Sequence, residues 1–141
     1  METLQRLRAL LEQYREQAAE AERKAAFLAG AFGMRGGPAD APCHARFAAG
    51  LKELLEDFAR NDPDPGEARA MLETIFTVPE TSCPKSAYWM LLAVHNLTGP
   101  AIACLRPEDA RALRERYRSD YPRHRRLPAQ ENVLRWLKQK E

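Results

Sequence analysis

Between Arg118 and Arg126 the chain gathers four arginines, His124 and Tyr121 within nine residues, its densest polar cluster. Guanidinium forks hold phosphate or carboxylate bidentately, and the free amides that follow Pro128 at a helix start add partial positive charge beside Arg125 and Arg126. Tyr121 and His124 offer rings on which a base can stack. Arg118, Tyr121, Arg123, His124, Arg125 and Arg126 are therefore the candidate anion-binding set. The competing expectation is a solvated loop whose arginines pair with acids of the first helix or cap the preceding helix. The segment shows neither an aromatic RNP strand nor a helix-turn-helix with a Gly turn, so nucleic acid is a possible partner but not the favoured one.

Charge distribution points the same way. Residues 101–141 hold eleven Lys or Arg against six Asp or Glu, whereas residues 1–60 balance at nine each. The whole chain carries only +2 with a pI near 8.5, too mild to imply a polyanion partner for the entire surface.

A second constellation lies around His95, where Tyr88, Trp89, His95 and Cys104 could line a small-ligand or enzyme pocket beside a central helix. No H-x-x-x-H, H-E-x-x-H or carboxylate pair accompanies His95, so no metal is expected there. Cys43 and His44 are adjacent, but adjacent helical residues point about 100° apart, which denies the thiol its base. Cys43, Cys83 and Cys104 form no C-x-x-C pair, and reduced thiols are expected. The glycines at 30, 33, 36 and 37 follow a helix rather than a strand and match no phosphate loop. No cofactor, metal or catalytic residue is assigned.

These residues must be positioned by helices. Ala and Leu dominate the apolar share while Val and Ile are scarce, which favours helix over strand. The expected fold is all-α, a single-domain bundle of about six helices with a long N-terminal helix and a buried central fourth helix. Ser86–Leu97 carries no charged side chain, and its apolar residues from Ala87 to Val94 run on without interruption, so every side of that helix is expected to be covered. It is too short an apolar run, and too soon broken at Gly99-Pro100, to span a membrane.

The first helix is expected over Glu2–Ala31. Leu4, Leu7, Leu11, Tyr14, Ala18, Ala21, Ala25, Leu28 and Phe32 alternate spacings of three and four, a heptad seam within residues 1–32. About thirty residues at 1.5 Å each give a length near 45 Å, longer than a compact bundle of this size is wide. Antiparallel pairing of two copies about Ala18 and Ala21 would set Arg15 near Glu22 of the other chain, and a homodimer through this coiled-coil seam is expected. A Gly/Pro linker covers 33–41, with Gly33 as left-handed cap. The helical core, 42–141, then comprises Pro42–Arg60, a helix capped by Asp64, the central helix with Ser82 or Cys83 as cap, a helix from Pro107 to about Asp120, and a last helix from Pro128 before a polar tail at Lys138–Glu141.

With no catalytic constellation, the favoured function is a non-catalytic protein-interaction or self-associating helical module. The alternatives are anion or nucleic-acid binding through 118–126 and a ligand or enzyme site beside the central helix. The start of the chain alternates charge with Leu and lacks the order of a signal peptide, so a cytoplasmic location and no membrane partner are expected.

Overall fold

The structure, a computed structural model, describes residues 2–33, 37–61, 63–79 and 83–141. Within them the chain is all-α, with seven α-helices, three short 3-10 turns and no strand. The helices are α1 (Glu2–Phe32), α2 (Pro42–Arg60), α3 (Pro65–Phe76), α4 (Lys85–Ala93), α5 (Gly99–Ile102), α6 (Pro107–Asp120) and α7 (Pro128–Lys140). The linker residues Met34, Arg35 and Gly36, Asp62 after α2, and the expected cap Ser82 lie outside the described residues. Cys83, the other expected cap, is not one, since Pro84 precedes the first residue of α4 and no side chain caps it.

Helix α1 is long because nothing in its sequence stops it before Gly33, whose φ of 61° suits only a residue without a Cβ and whose amide closes on Ala29 O at 3.1 Å. α2 packs antiparallel to it: Tyr14 stacks on Phe47 with ring centroids 4.1 Å apart, and Leu10 lies over Gly50. On its other side α1 runs alongside α3 in the same direction, with Leu4 at Glu67 and Arg15 in the groove beside Val78. Leu7, Leu51, Leu55, Met71 and Leu72 fill the space between them and are fully buried.

Asp64 caps α3 as expected, accepting Glu67 N at 2.8 Å. The Glu67 carboxylate does not turn back to the amide of Asp64 to form a reciprocal capping box. It accepts the Leu4 amide of α1 at 3.0 Å, satisfying an unpaired donor where the helix dipole is positive. Arg69 ties α3 to Asp109 in the first turn of α6 at 2.5 Å.

The central segment departs from expectation in three ways. It is not wrapped on every side: Ala87, Leu91 and Leu92 are buried, but Tyr88 and Trp89 face solvent. The α-helix ends at Ala93 and tightens into a 3-10 turn over Val94–Leu97. Thr98 enforces this, because both its hydroxyl, at 2.7 Å, and its amide, at 3.3 Å, bond His95 O and close the turn three residues back. Finally, Gly99-Pro100 does not close a helix but opens the short α5, Pro being tolerated in a first turn where its missing N–H is not needed.

Helices α6 and α7 form a C-terminal hairpin, joined at its open end by Arg114 and Glu141 at 3.0 Å. Residues Lys138–Lys140, expected as a tail, continue α7. Asn132 of α7 bonds Asn96 Oδ1 at 2.9 Å and so fixes the hairpin on the 3-10 turn.

Candidate functional site

The arginine segment is split by the fold. The Tyr121 ring, expected to stack a base, is buried, and its hydroxyl donates to Phe76 O at 2.7 Å, capping the last turn of α3. Arg126 donates from Nε to Tyr121 O at 2.8 Å, the capping role open to a basic residue at a helix C-terminus, and lies 3.5 Å from Glu131. Both residues serve the fold. Arg118, Arg123, His124 and Arg125 remain exposed, and among the described residues none of these three arginines has an ion-pair partner. What survives of the candidate site is a solvated cationic strip whose one remaining ring is that of His124.

The His95 constellation is also taken apart. His95 is fully buried, with Phe76, Tyr117 and Tyr121 packed around it at centroid distances of 5.1, 5.7 and 5.5 Å. Its Nδ1 meets the Tyr117 hydroxyl at 2.8 Å, while Nε2 has no well-aligned partner. Burial holds the imidazole neutral, down to about 4, and the Ile75 carbonyl pulls only weakly the other way. The cleft against Tyr117, walled also by Glu73, Leu113 and Arg116, measures about 10 Å³, at the lower limit for one water, and His95 does not line it. Tyr88 and Trp89 are exposed rather than packed on it, and the half-buried Cys104 bonds Pro100 O at 3.3 Å.

His44 is spoken for as well: Nε2 donates to Pro38 O at 2.8 Å, leaving Nδ1 to accept from Tyr14 at 2.6 Å. Burial raises the Cys83 and Cys104 thiols and the Tyr14, Tyr117 and Tyr121 hydroxyls, which keeps all five protonated at neutral pH. Among the described residues no group of three or more His, Cys, Asp or Glu could hold a metal ion, and no helix is long and apolar enough to cross a membrane. A groove of about 420 Å³ between α5 and α7, floored by Trp136, is shallow, and its polar lining is confined to Gln139 and Lys140 at the end of α7.

The seam of α1 divides at Ala18. Leu4, Leu7, Tyr14 and Ala18 are buried within the chain's own bundle and Leu11 is half-buried, whereas Ala21, Ala25 and Leu28 are only half-covered and Phe32 is exposed. A two-copy contact centred on Ala18 is therefore closed, because that methyl is already fully packed. Residues 19–32 form an arm of about 20 Å beyond the packed half. From Ala25 to Phe32 the arm reads Ala-Ala-Phe-Leu-Ala-Gly-Ala-Phe, with no polar side chain, and Phe27 and Phe32 pair edge-on at 6.3 Å.

Beside the arm's base stands α4. The Ser86 amide donates to Glu22 Oε1 at 2.7 Å, and Tyr88 and Trp89 form a second edge-on pair at 5.2 Å. Sequence reasoning placed Trp89 in the core and gave Phe27 no role. Two signals pointed elsewhere: Phe27 is out of phase with the seam, and eight apolar residues in succession cannot all face one stripe. Compared with known proteins, the chain matches no family model, no curated protein and no solved structure at a significant level, so the reading of this surface rests on its own geometry.

Proposed function

We propose that this chain is a non-catalytic helical interaction module that engages another protein through the arm of α1 and the outer face of α4. One observation carries the reading. Of eleven aromatic side chains, only Phe27, Phe32, Tyr88 and Trp89 are exposed, at 65, 67, 39 and 63%. Large aromatics supply most of the burial energy at protein interfaces, and contiguous apolar surface is sparse on chains that work alone. Residence in the cytoplasm, in keeping with three free cysteines, belongs to the same reading. A polyanion partner has less support, since the arginine strip has lost Tyr121 and Arg126 to the fold.

The test is in-cell photo-crosslinking with benzoylphenylalanine at position 27 or 89, and at exposed Arg135 of α7 as control. The expected result is a discrete crosslinked protein, which can include the chain itself, from 27 and 89 but not from 135. No product at either ring position overturns the reading.

A further inference from the structure

Resting on that reading and deepening it, we infer that the partner is a second copy of this chain, the arm of each copy docking on the Tyr88 and Trp89 face of the other. Area is the first argument. At roughly 200 Å² per aromatic side chain, the four rings leave on the order of 450 Å² in water per copy, but the arm pair or the α4 pair alone leaves about half of that. A specific interface needs about 1,000 Å² in total. Neither patch reaches this by pairing with itself. Reciprocal docking buries all eight rings of two copies and, with the arm's exposed alanines, brings the total to about 1,000 Å².

Symmetry is the second argument. Two different patches on one chain form a closed two-fold dimer when each meets the other's counterpart, with no free patch left to propagate a filament. Both patches hang from one junction, the Glu22 carboxylate on the Ser86 amide, which sets their separation in each copy alike. Gly30 is the third. A Cβ there would meet nothing within 4 Å, so the single chain gives no packing reason for a helix-weakening residue, whereas a facing ring gains close approach to bare backbone. The arm tip carries no charge from Ala25 to Phe32, so burying it desolvates no ion.

The experiment uses the full chain at concentrations from about 1 to about 500 µM, the range of a weak dimer. Sedimentation equilibrium is expected to rise from the 16.0 kDa monomer toward twice that mass. Phe27→Ser with Phe32→Ser, and separately Trp89→Ser, should each abolish the rise while leaving the circular dichroism unchanged, because these rings are exposed. Benzoylphenylalanine at position 27, in a mixture of isotopically heavy and light chains, should crosslink to residues 85–93 of the other copy. Wild-type protein that stays monomeric, a Trp89→Ser variant that still dimerises, or crosslinks running arm to arm would each overturn the exchange. A monomer that instead binds anionic vesicles through Phe27 and Phe32 would overturn it in favour of a lipid surface. In-cell crosslinks to a different protein from a monomeric chain would sink this inference and leave the wider reading standing.

Discussion

Tyr14 with His44 and Tyr117 with His95 each pair a hydroxyl with Nδ1, at 2.6 and 2.8 Å. Their surroundings differ at the other nitrogen. His44 Nε2 reaches the Pro38 carbonyl and thereby ties the returning linker to the α1–α2 pair. His95 Nε2 has only the poorly aligned Ile75 carbonyl within reach and sits in a cage of Phe76, Tyr117 and Tyr121 between α3 and α6. The same side-chain pair thus serves as a tether where it is fully bonded and as a neutral wedge where it is not. The value of a buried histidine is set by its second nitrogen.

Acid should act on the His95 side most strongly. His95 has its folded pKa lowered to about 4 from 6.5, so between those values the unfolded chain binds the proton and the folded chain does not. Its contribution is intact above pH 6.5 and is lost as pH falls toward 4, in total about 3 kcal/mol at 1.36 kcal/mol per unit. Urea unfolding at stepped pH should show this decline over about pH 4.5 to 6.5, where ordinary carboxylates stay largely ionised, and His95→Gln should flatten it. A decline of the same steepness in His95→Gln would break the distinction.

Next in size are the hydroxyls. Tyr117→Phe leaves His95 with neither nitrogen well bonded and should cost about 2–3 kcal/mol, whereas Tyr14→Phe leaves His44 its Pro38 bond and should cost about 1 kcal/mol. Equal losses in denaturant midpoint would show that the second nitrogen does not matter. The smallest effect belongs to His44→Gln, which should leave global stability within about 1 kcal/mol but speed amide exchange at Asp40 and Ala41, whose 3-10 turn includes the Pro38 carbonyl. Unchanged exchange at both amides would deny the tether.

Local rules read well from the sequence, and partner choice did not. Asp64 as cap and Gly33 in the left-handed region follow from residue type and position, and both are present. Composition likewise specifies an all-α chain. The seam of α1 could not reveal that Ala18 divides it, because heptad spacing is the same whether the partner is α2 and α3 or another molecule. Nor could the uncharged run around Trp89 show its open side: an apolar ring held for an interface is indistinguishable by hydropathy from one held for a core. The arginine segment misled for a related reason, since a guanidinium that caps a carbonyl and one that awaits an anion are written with the same letter.

The bond from Glu22 to Ser86 has a mechanical meaning. It fastens the root of a stiff rod to the first turn of α4, where a carboxylate also opposes the positive helix end. A force applied at Phe32 therefore acts through a lever about 15 Å long whose fulcrum is that carboxylate, and torque on the tip is delivered to the backbone that carries Trp89.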